Sequence, residues 1–107
     1  MNQYSFKIPQ FHTQQGTQLD LELNYVVYGE LNENKDNCIL VTTSYSATHV
    51  DAEDLFAATE SLDLSSYCIV VVNMLSNSLS SSPSNTAPPF DGPRFPTITV
   101  HDNVRCQ

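Results

Sequence analysis

The sequence predicts an α/β fold in which two antiparallel strands lead into a β-α-β unit and the start of a further helix. Residues 19–28 alternate between apolar and polar side chains, whereas residues 38–41 and 67–72 are almost continuously apolar. The alternating pattern is typical of a strand with one solvent-facing side. The continuous runs are typical of strands buried on both faces of a parallel sheet.

The strands are predicted in order along the chain. Residues 4–8 alternate weakly and indicate an edge strand. In residues 19–28 the apolar side chains from Leu19 to Val27 fall on one face. A polar connection at residues 29–37 is rich in turn-forming residues and separates this strand from the first apolar run.

Two helices are predicted from their starts. Thr48 and Asp51 have the spacing of a capping box, and apolar residues recur at helical spacing as far as Leu62. Thr99 and Asp102 repeat the capping-box spacing and predict the opening of a second helix. Residues 74–96 lack periodicity and hold five of the six prolines. A connection of that length is either functional or disordered.

The composition and net charge of the chain argue against several classes of function. The 107 residues hold at most one domain, and their apolar fraction of 40% is enough for a core. The net charge of −8 leaves no basic patch for nucleic acid or an anionic membrane surface. The apolar runs are too short to span a bilayer, and we expect no signal peptide. Cys38, Cys68 and Cys106 have no CxxC spacing, which favours reduced, buried thiols in a cytoplasmic protein over metal or redox roles.

Four segments taken together resemble a known family. They are YGELN at 28–32, DNCILVTTSY at 36–45, NMLSNSLSSSPSN at 73–85 and FPTITVHDNVRCQ at 95–107. In this order and spacing they resemble the N-terminal third of α/β-hydrolase-fold acyltransferases, specifically the homoserine O-acetyltransferase family and its hydrolase-like relatives. The resemblance implies that residues 1–107 are the N-terminal part of one α/β-hydrolase domain, truncated before the G-x-S-x-G turn that carries the nucleophilic serine. It also implies that the fourth strand lies between the second and the third.

The resemblance assigns site residues to two loops. The turn after the third strand would supply an oxyanion-hole N–H, with Tyr45 as the first candidate and Ser44 as the second. The substrate-pocket candidates are Ser46, Asn73, Ser76, Asn77 and Ser80. Family members carry glycine where this chain has Ser46, Ser76 and Ser78. If these positions require a positive φ, each serine adds about 1 kcal/mol of strain.

No residue of this chain is predicted to be a catalytic nucleophile or base. The chain contains no G-x-S-x-G sequence. His49 is interpreted as a first-turn helix residue near the loop. Asp102 is interpreted as the capping partner of Thr99, with an i,i+3 pair to Arg105, rather than as part of a triad.

The implied function is that of a fragment of a serine acyltransferase, acting through an acyl-enzyme, that supplies the oxyanion-side and pocket loops but no triad. An esterase-like hydrolase and a non-catalytic acidic interaction module are the alternatives. The partners would be a small-molecule acyl donor and acceptor, with a homodimer left open. We expect no cofactor, and no His/Cys/Asp/Glu cluster has metal-ligand spacing. The chain alone should be inactive and prone to association through an open strand edge.

Overall fold

The computed structural model describes residues 2–107. Its elements follow the predicted order of three strands, a helix, a strand and a helix. They are β1 (Asn2–His12), β2 (Gln18–Tyr28), β3 (Cys38–Thr42), α1 (His49–Ala58), β4 (Cys68–Val72), a 3-10 turn (Gly92–Arg94) and α2 (Val100–Cys106).

The four strands form one sheet in the order β1-β2-β4-β3. β2 pairs antiparallel with β1 and with β4, and β3 pairs parallel with β4. The expected position of the fourth strand, between the second and the third, is confirmed. Within residues 2–107, β3 is therefore an edge strand that pairs on one side only.

β1 is longer than the predicted residues 4–8. It pairs with β2 along its whole length, with a register shift between Ile8 and Phe11. Within this bulge Gln10 has φ 52°, and its N–H donates to the Asp20 side chain at 2.8 Å. Most of β1 is exposed on both faces. The strand therefore lacks the alternating pattern that would have predicted its length.

The core consists of two apolar clusters, one on each face of the sheet. The larger contains Phe11, Leu19, Leu21, Leu23, Val72 and Leu75. The other contains Val26, Tyr28, Ile69 and Val71, and α1 packs against it through Ala52 and Phe56. The wet face predicted for β2 is thus limited to its first half, because α1 covers the second half.

Both helices begin at the predicted capping boxes. The Thr48 side chain accepts a hydrogen bond from the first turn of α1, and the Thr99 side chain does so in α2. In each box an aspartate, Asp51 or Asp102, accepts the N–H of the capping threonine. α1 ends at Ala58, earlier than predicted, and Leu62 reaches the second cluster from the turn that follows. Neither helix of the described chain is long and apolar enough to cross a bilayer.

β3 differs from the prediction of a strand buried on both faces. Ile39 and Val41 pack beneath α1, but the opposite face is open, and Leu40 keeps 53% of its surface exposed. The expectation of buried thiols is accordingly wrong for Cys38, which is exposed on that open face. It is correct for Cys68, which lies in the central strand at 5% exposure.

Candidate functional site

The candidate site lies where the parallel strands β3 and β4 end. The loops that follow these strands, 43–47 and 73–86, meet at one edge of the sheet. The Thr43 hydroxyl accepts the Met74 N–H at 3.1 Å and ties the two loops together. Ligands of open α/β sheets bind outside the carboxyl ends of the strands, so this edge is where a site is expected.

The turn after β3 carries Tyr45, the first candidate for an oxyanion-hole donor. The Ala47 N–H donates to the Ser44 carbonyl at 3.0 Å and closes a four-residue turn. Tyr45 occupies the second position and Ser46 the third, with φ 60°. A positive φ at the third position is typical of a type II turn. The Tyr45 N–H donates to no acceptor within residues 2–107, and its side chain is 92% exposed.

Asn73 holds the two loops in place from below. Its side chain is fully buried, and its Oδ1 accepts the His49 backbone N–H at 2.9 Å. Its Nδ2 donates to Asn24 Oδ1 at 2.7 Å. The Asn77 Nδ2 adds a bond to Asn73 Oδ1 at 3.1 Å and another to the Ala47 carbonyl at 3.3 Å. The carboxamides of Asn73 and Asn77 therefore fix the position of the turn that carries Tyr45.

His49 is a structural residue of this network. It is the first residue of α1, as predicted, and is buried at 4% exposure. Its Nδ1 lies 3.2 Å from Asn73 Nδ2, and its Nε2 lies 3.4 Å from the Gln3 side-chain amide. The group facing each ring nitrogen is thus the amide nitrogen of a side-chain carboxamide. Both ring nitrogens face protein amides rather than the open edge.

The serine-rich loop is ordered by its own hydroxyl groups. Ser80 Oγ accepts the Asn24 N–H at 2.8 Å and donates to the Asn73 carbonyl at 2.7 Å. Ser82 Oγ accepts the Ser78 N–H at 2.8 Å. Ser81 exchanges hydrogen bonds with the backbone of Glu22. The loop thereby continues the pairing of β2 beyond the end of β4, so the disordered alternative for this part of residues 74–96 is wrong.

The predicted pocket residues divide into two groups. Ser46 and Ser76 are exposed and Asn77 is half-buried, so these three can border a ligand. Asn73 and Ser80 are fully buried with their hydrogen bonds made inside the protein. In the described chain these two side chains support the loops from inside the protein, and their place in a pocket stays a prediction.

The three serines expected at positive φ have that conformation. The φ angles are 60° at Ser46, 71° at Ser76 and 76° at Ser78. Serine is an unfavourable residue at positive φ. The backbone keeps this conformation because the hydrogen bonds of Asn73 and Asn77 hold the two loops in place.

A cleft of about 320 Å³ opens beside the Tyr45 turn. Most of the surface that lines the cleft is apolar, and no lining side chain is charged. The lining residues are Thr42, Thr43, Tyr45, Met74, Val100, Asn103, Val104 and Gln107. The sequence pattern did not indicate that α2 contributes to this cleft. α2 is held against the loop that follows β4 by Asn103, whose Oδ1 accepts the Leu75 N–H at 2.8 Å.

Asp102 fixes the other side of α2. Its buried carboxylate accepts the Gln14 N–H at 2.8 Å in addition to the Thr99 capping bond at 3.0 Å. Burial raises the pKa of Asp102, but hydrogen bonds from Thr99 and Gln14 outweigh it and hold that pKa below its usual value. Arg105 lies over the Phe11 ring at 4.7 Å. The interpretation of Asp102 as the capping partner of Thr99 is confirmed. The i,i+3 pair with Arg105 does not form within the described residues, where Arg105 donates to the His12 carbonyl at 2.8 Å.

The described residues contain no group of three or more His, Cys, Asp or Glu side chains that could hold a metal ion.

No protein-family model matches this chain. An ethyl acetate hydrolase from Pseudomonas veronii is 44% identical over 86 residues, which cover 79% of this chain and 25% of that protein. A homoserine O-acetyltransferase from Chlorobium chlorochromatii is 32% identical over 106 residues, covering 91% of this chain and 29% of that protein. The chain spans between a quarter and a third of the length of these curated relatives.

Solved structures match over nearly the whole chain. An acetylester hydrolase from Corynebacterium glutamicum superposes with a TM-score of 0.87 at 34% identity. The match covers 97% of this chain and 31% of that structure. The arrangement of strands and helices described above is thus the same as in the matching part of that hydrolase.

Proposed function

We propose that this chain, which belongs to the α/β-hydrolase family of esterases and homoserine O-acetyltransferases, forms the oxyanion side of a serine acyl-transfer site. The catalytic triad would lie in polypeptide outside residues 1–107. The observation that carries the proposal is the turn 44–47, which stands at the carboxyl edge of the parallel strands with the Tyr45 N–H uncommitted within the described chain.

The chemistry assigned to the turn is the stabilisation of developing charge. When a serine oxygen attacks an ester carbonyl, the carbonyl oxygen becomes an oxyanion, and the alcohol leaves as the acyl-enzyme forms. A backbone N–H about 2.7–3.1 Å from that oxyanion is worth roughly 3–4 kcal/mol of the barrier. The Asn73 and Asn77 contacts hold the turn rigid, so little reorganisation is needed at the moment of reaction.

Water is the acceptor that the observations favour. The identity to the ethyl acetate hydrolase, 44%, exceeds the 32% identity to the homoserine O-acetyltransferase. The cleft beside Tyr45 has no acidic or basic side chain in its lining. Such a lining suits a small, uncharged acyl group better than the ammonium and carboxylate groups of an amino acid.

Transfer to the hydroxyl of an amino acid is the second candidate. The match to the homoserine O-acetyltransferase covers 91% of this chain, more than the 79% matched by the ethyl acetate hydrolase. The two reactions share one acyl-enzyme and differ only in whether water or an alcohol attacks it.

The proposal is tested with two polypeptides: the 107-residue chain and the product that continues its reading frame. The longer product should hydrolyse p-nitrophenyl acetate, and a serine-directed inhibitor should abolish the activity. The 107-residue chain should not exceed the buffer rate. A comparison of ethyl acetate with an acetyl thioester plus homoserine separates hydrolase from transferase.

Two results would overturn the proposal. Inhibitor-sensitive turnover by the 107-residue chain would show that its nucleophile lies within these residues. A folded longer product without activity on any of these acyl donors would favour the non-catalytic acidic module.

A further inference from the structure

Two cysteines face each other across the parallel strands β3 and β4, at the end of the sheet remote from the candidate site. Cys38 and Cys68 are register partners, and each is the first residue of its strand. Register partners on neighbouring strands project to the same face of the sheet, with the strands about 4.8 Å apart. The two thiols therefore lie side by side.

We propose that Cys38 and Cys68 are a modification site that forms a reversible intrachain disulfide when the protein meets a small-molecule disulfide such as oxidised glutathione. The inference does not depend on the acyl chemistry proposed above, because it rests on the strand register, the exposure of Cys38 and the one-sided pairing of β3 within residues 2–107.

The backbone geometry allows this bond. Disulfides join Cα atoms about 4.4–6.8 Å apart, a range that includes the usual separation of paired strands. The Cβ atoms must approach to about 3.8 Å, which requires a small movement of one strand. β3 can make it because it pairs on one side only. The resulting strain makes the bond easily reduced, as expected of a reversible modification rather than a structural disulfide.

The exposure of the two sulfurs determines which cysteine reacts first with the oxidant. Cys38 is exposed on the open face of β3, and Cys68 is buried beside it. Burial and, secondarily, the neighbouring Cys38 raise the pKa of Cys68, so its thiol is protonated at neutral pH. An oxidant in solution therefore reaches Cys38 first, and Cys68 acts as the resolving thiol.

The reaction is balanced by the glutathione disulfide. The Cys38 thiolate attacks one sulfur of oxidised glutathione, breaks its S–S bond and releases one glutathione thiolate. Cys68 then loses its proton and attacks the Cys38 sulfur, which releases the second glutathione. The protein gives up two protons and two electrons, and the oxidant becomes two molecules of reduced glutathione.

Cys106 is an internal control. It lies on α2, is partly buried, and has no strand partner. Burial and the nearby Asp102 raise its pKa to about 11, so it should react slowly with the same oxidant.

The experiment incubates the dilute 107-residue chain with oxidised glutathione in native buffer, blocks free thiols with iodoacetamide and maps the peptides by mass spectrometry. The expected product is a monomer that has lost two hydrogens, with Cys38 joined to Cys68 and Cys106 alkylated. Dithiothreitol should restore two alkylation sites. The C106S variant should give the same product, and the C38S variant should give none.

Four results would overturn the inference. A stable mixed disulfide of glutathione on Cys38 with Cys68 still alkylated would show that the strands cannot approach. Covalent dimers through Cys38 would show that the exposed thiol reacts only between molecules. Pairing that appears only in urea, or that involves Cys106 equally in native buffer, would show that the register does not direct it.

Discussion

Replacing Ser46, Ser76 or Ser78 by glycine should stabilise the protein, although each change removes side-chain atoms. Their φ angles of 60°, 71° and 76° lie in the left-handed region. A non-glycine residue in this region destabilises the folded state by roughly 1–2 kcal/mol. Glycine removes that strain but destabilises the folded state by about 0.5–1 kcal/mol, because it loses more conformational entropy on folding. The net gain expected is about 0.5–1 kcal/mol at each site.

The side chains of these serines do not offset the gain. All three are exposed, and none of their hydroxyls makes a hydrogen bond within residues 2–107. Ser76 and Ser78 lie in one loop, so their effects need not add, whereas Ser46 belongs to a different loop.

Two other serines of the same loop are matched controls. Ser84 is exposed and lies outside the left-handed region, so S84G should destabilise by about 0.4–1 kcal/mol through chain entropy alone. Ser80 is buried and bonds both Asn24 and Asn73. S80G should therefore cost about 1–3 kcal/mol for each buried group left unpaired.

The assay is urea and thermal unfolding of dilute protein, followed by far-UV circular dichroism because the chain has no tryptophan. A gain of about 1 kcal/mol in a domain of this size raises Tm by roughly 4–8 °C. If S46G, S76G and S78G all lower Tm as S84G does, the serine positions are not strained and the reasoning is wrong.

Three further predictions concern stability and association. D102N should cost about 1–3 kcal/mol, because an amide cannot accept both N–H groups that the carboxylate accepts. Since the pKa of Asp102 is lowered, its carboxylate stabilises the protein above about pH 4, and this contribution is lost as the pH falls through the lowered value. Urea unfolding between about pH 7 and 2 should therefore show a larger loss of stability in the wild type than in D102N, in which the lowered pKa of Asp63 still contributes. G29A should destabilise by about 2–4 kcal/mol, since its Cβ would lie 2.3 Å from the Tyr67 carbonyl oxygen, whereas G16A has open space and should lose only about 1 kcal/mol in the same unfolding assay. The open edge of β3 should cause concentration-dependent association in sedimentation velocity, and L40K should reduce it; a wild type that stays monomeric at every concentration would contradict this.

Structural features that depend on residues close in sequence could be predicted from the sequence. The two capping boxes involve residues three positions apart, so Thr48 and Thr99 mark the helix starts correctly. The alternation of β2 and the apolar run of β4 likewise identify their strands. The order of the strands was implied only by the family resemblance, since local patterns carry no information on pairing partners.

Structural features that depend on contacts between residues far apart in sequence could not be predicted. Asn73 bonds to Asn24, 49 positions away, and Asp102 bonds to Gln14, 88 positions away. A polar residue at the end of an apolar strand looks the same whether it faces a ligand or is buried in a network. The buried hydrogen bonds of Asn73 and Ser80 were therefore not predicted, and the role of Asn103 was missed. The exposure of Cys38 was missed because an apolar run does not reveal which strand lies at the edge.

The central claim is that the backbone N–H of Tyr45 stabilises the oxyanion, and a single pair of variants tests it. Tyr45 occupies the second position of its turn, where proline is favoured, so Y45P removes the N–H while keeping the turn. Y45A removes the side chain and keeps the N–H.

The measurement is kcat and KM for p-nitrophenyl acetate in the acyl-transferring product that contains these residues, with folding checked by circular dichroism. Y45P should lower kcat by roughly 10²–10³-fold with little change in KM, and Y45A should lose far less. A folded Y45P variant whose kcat equals that of Y45A would contradict the claim.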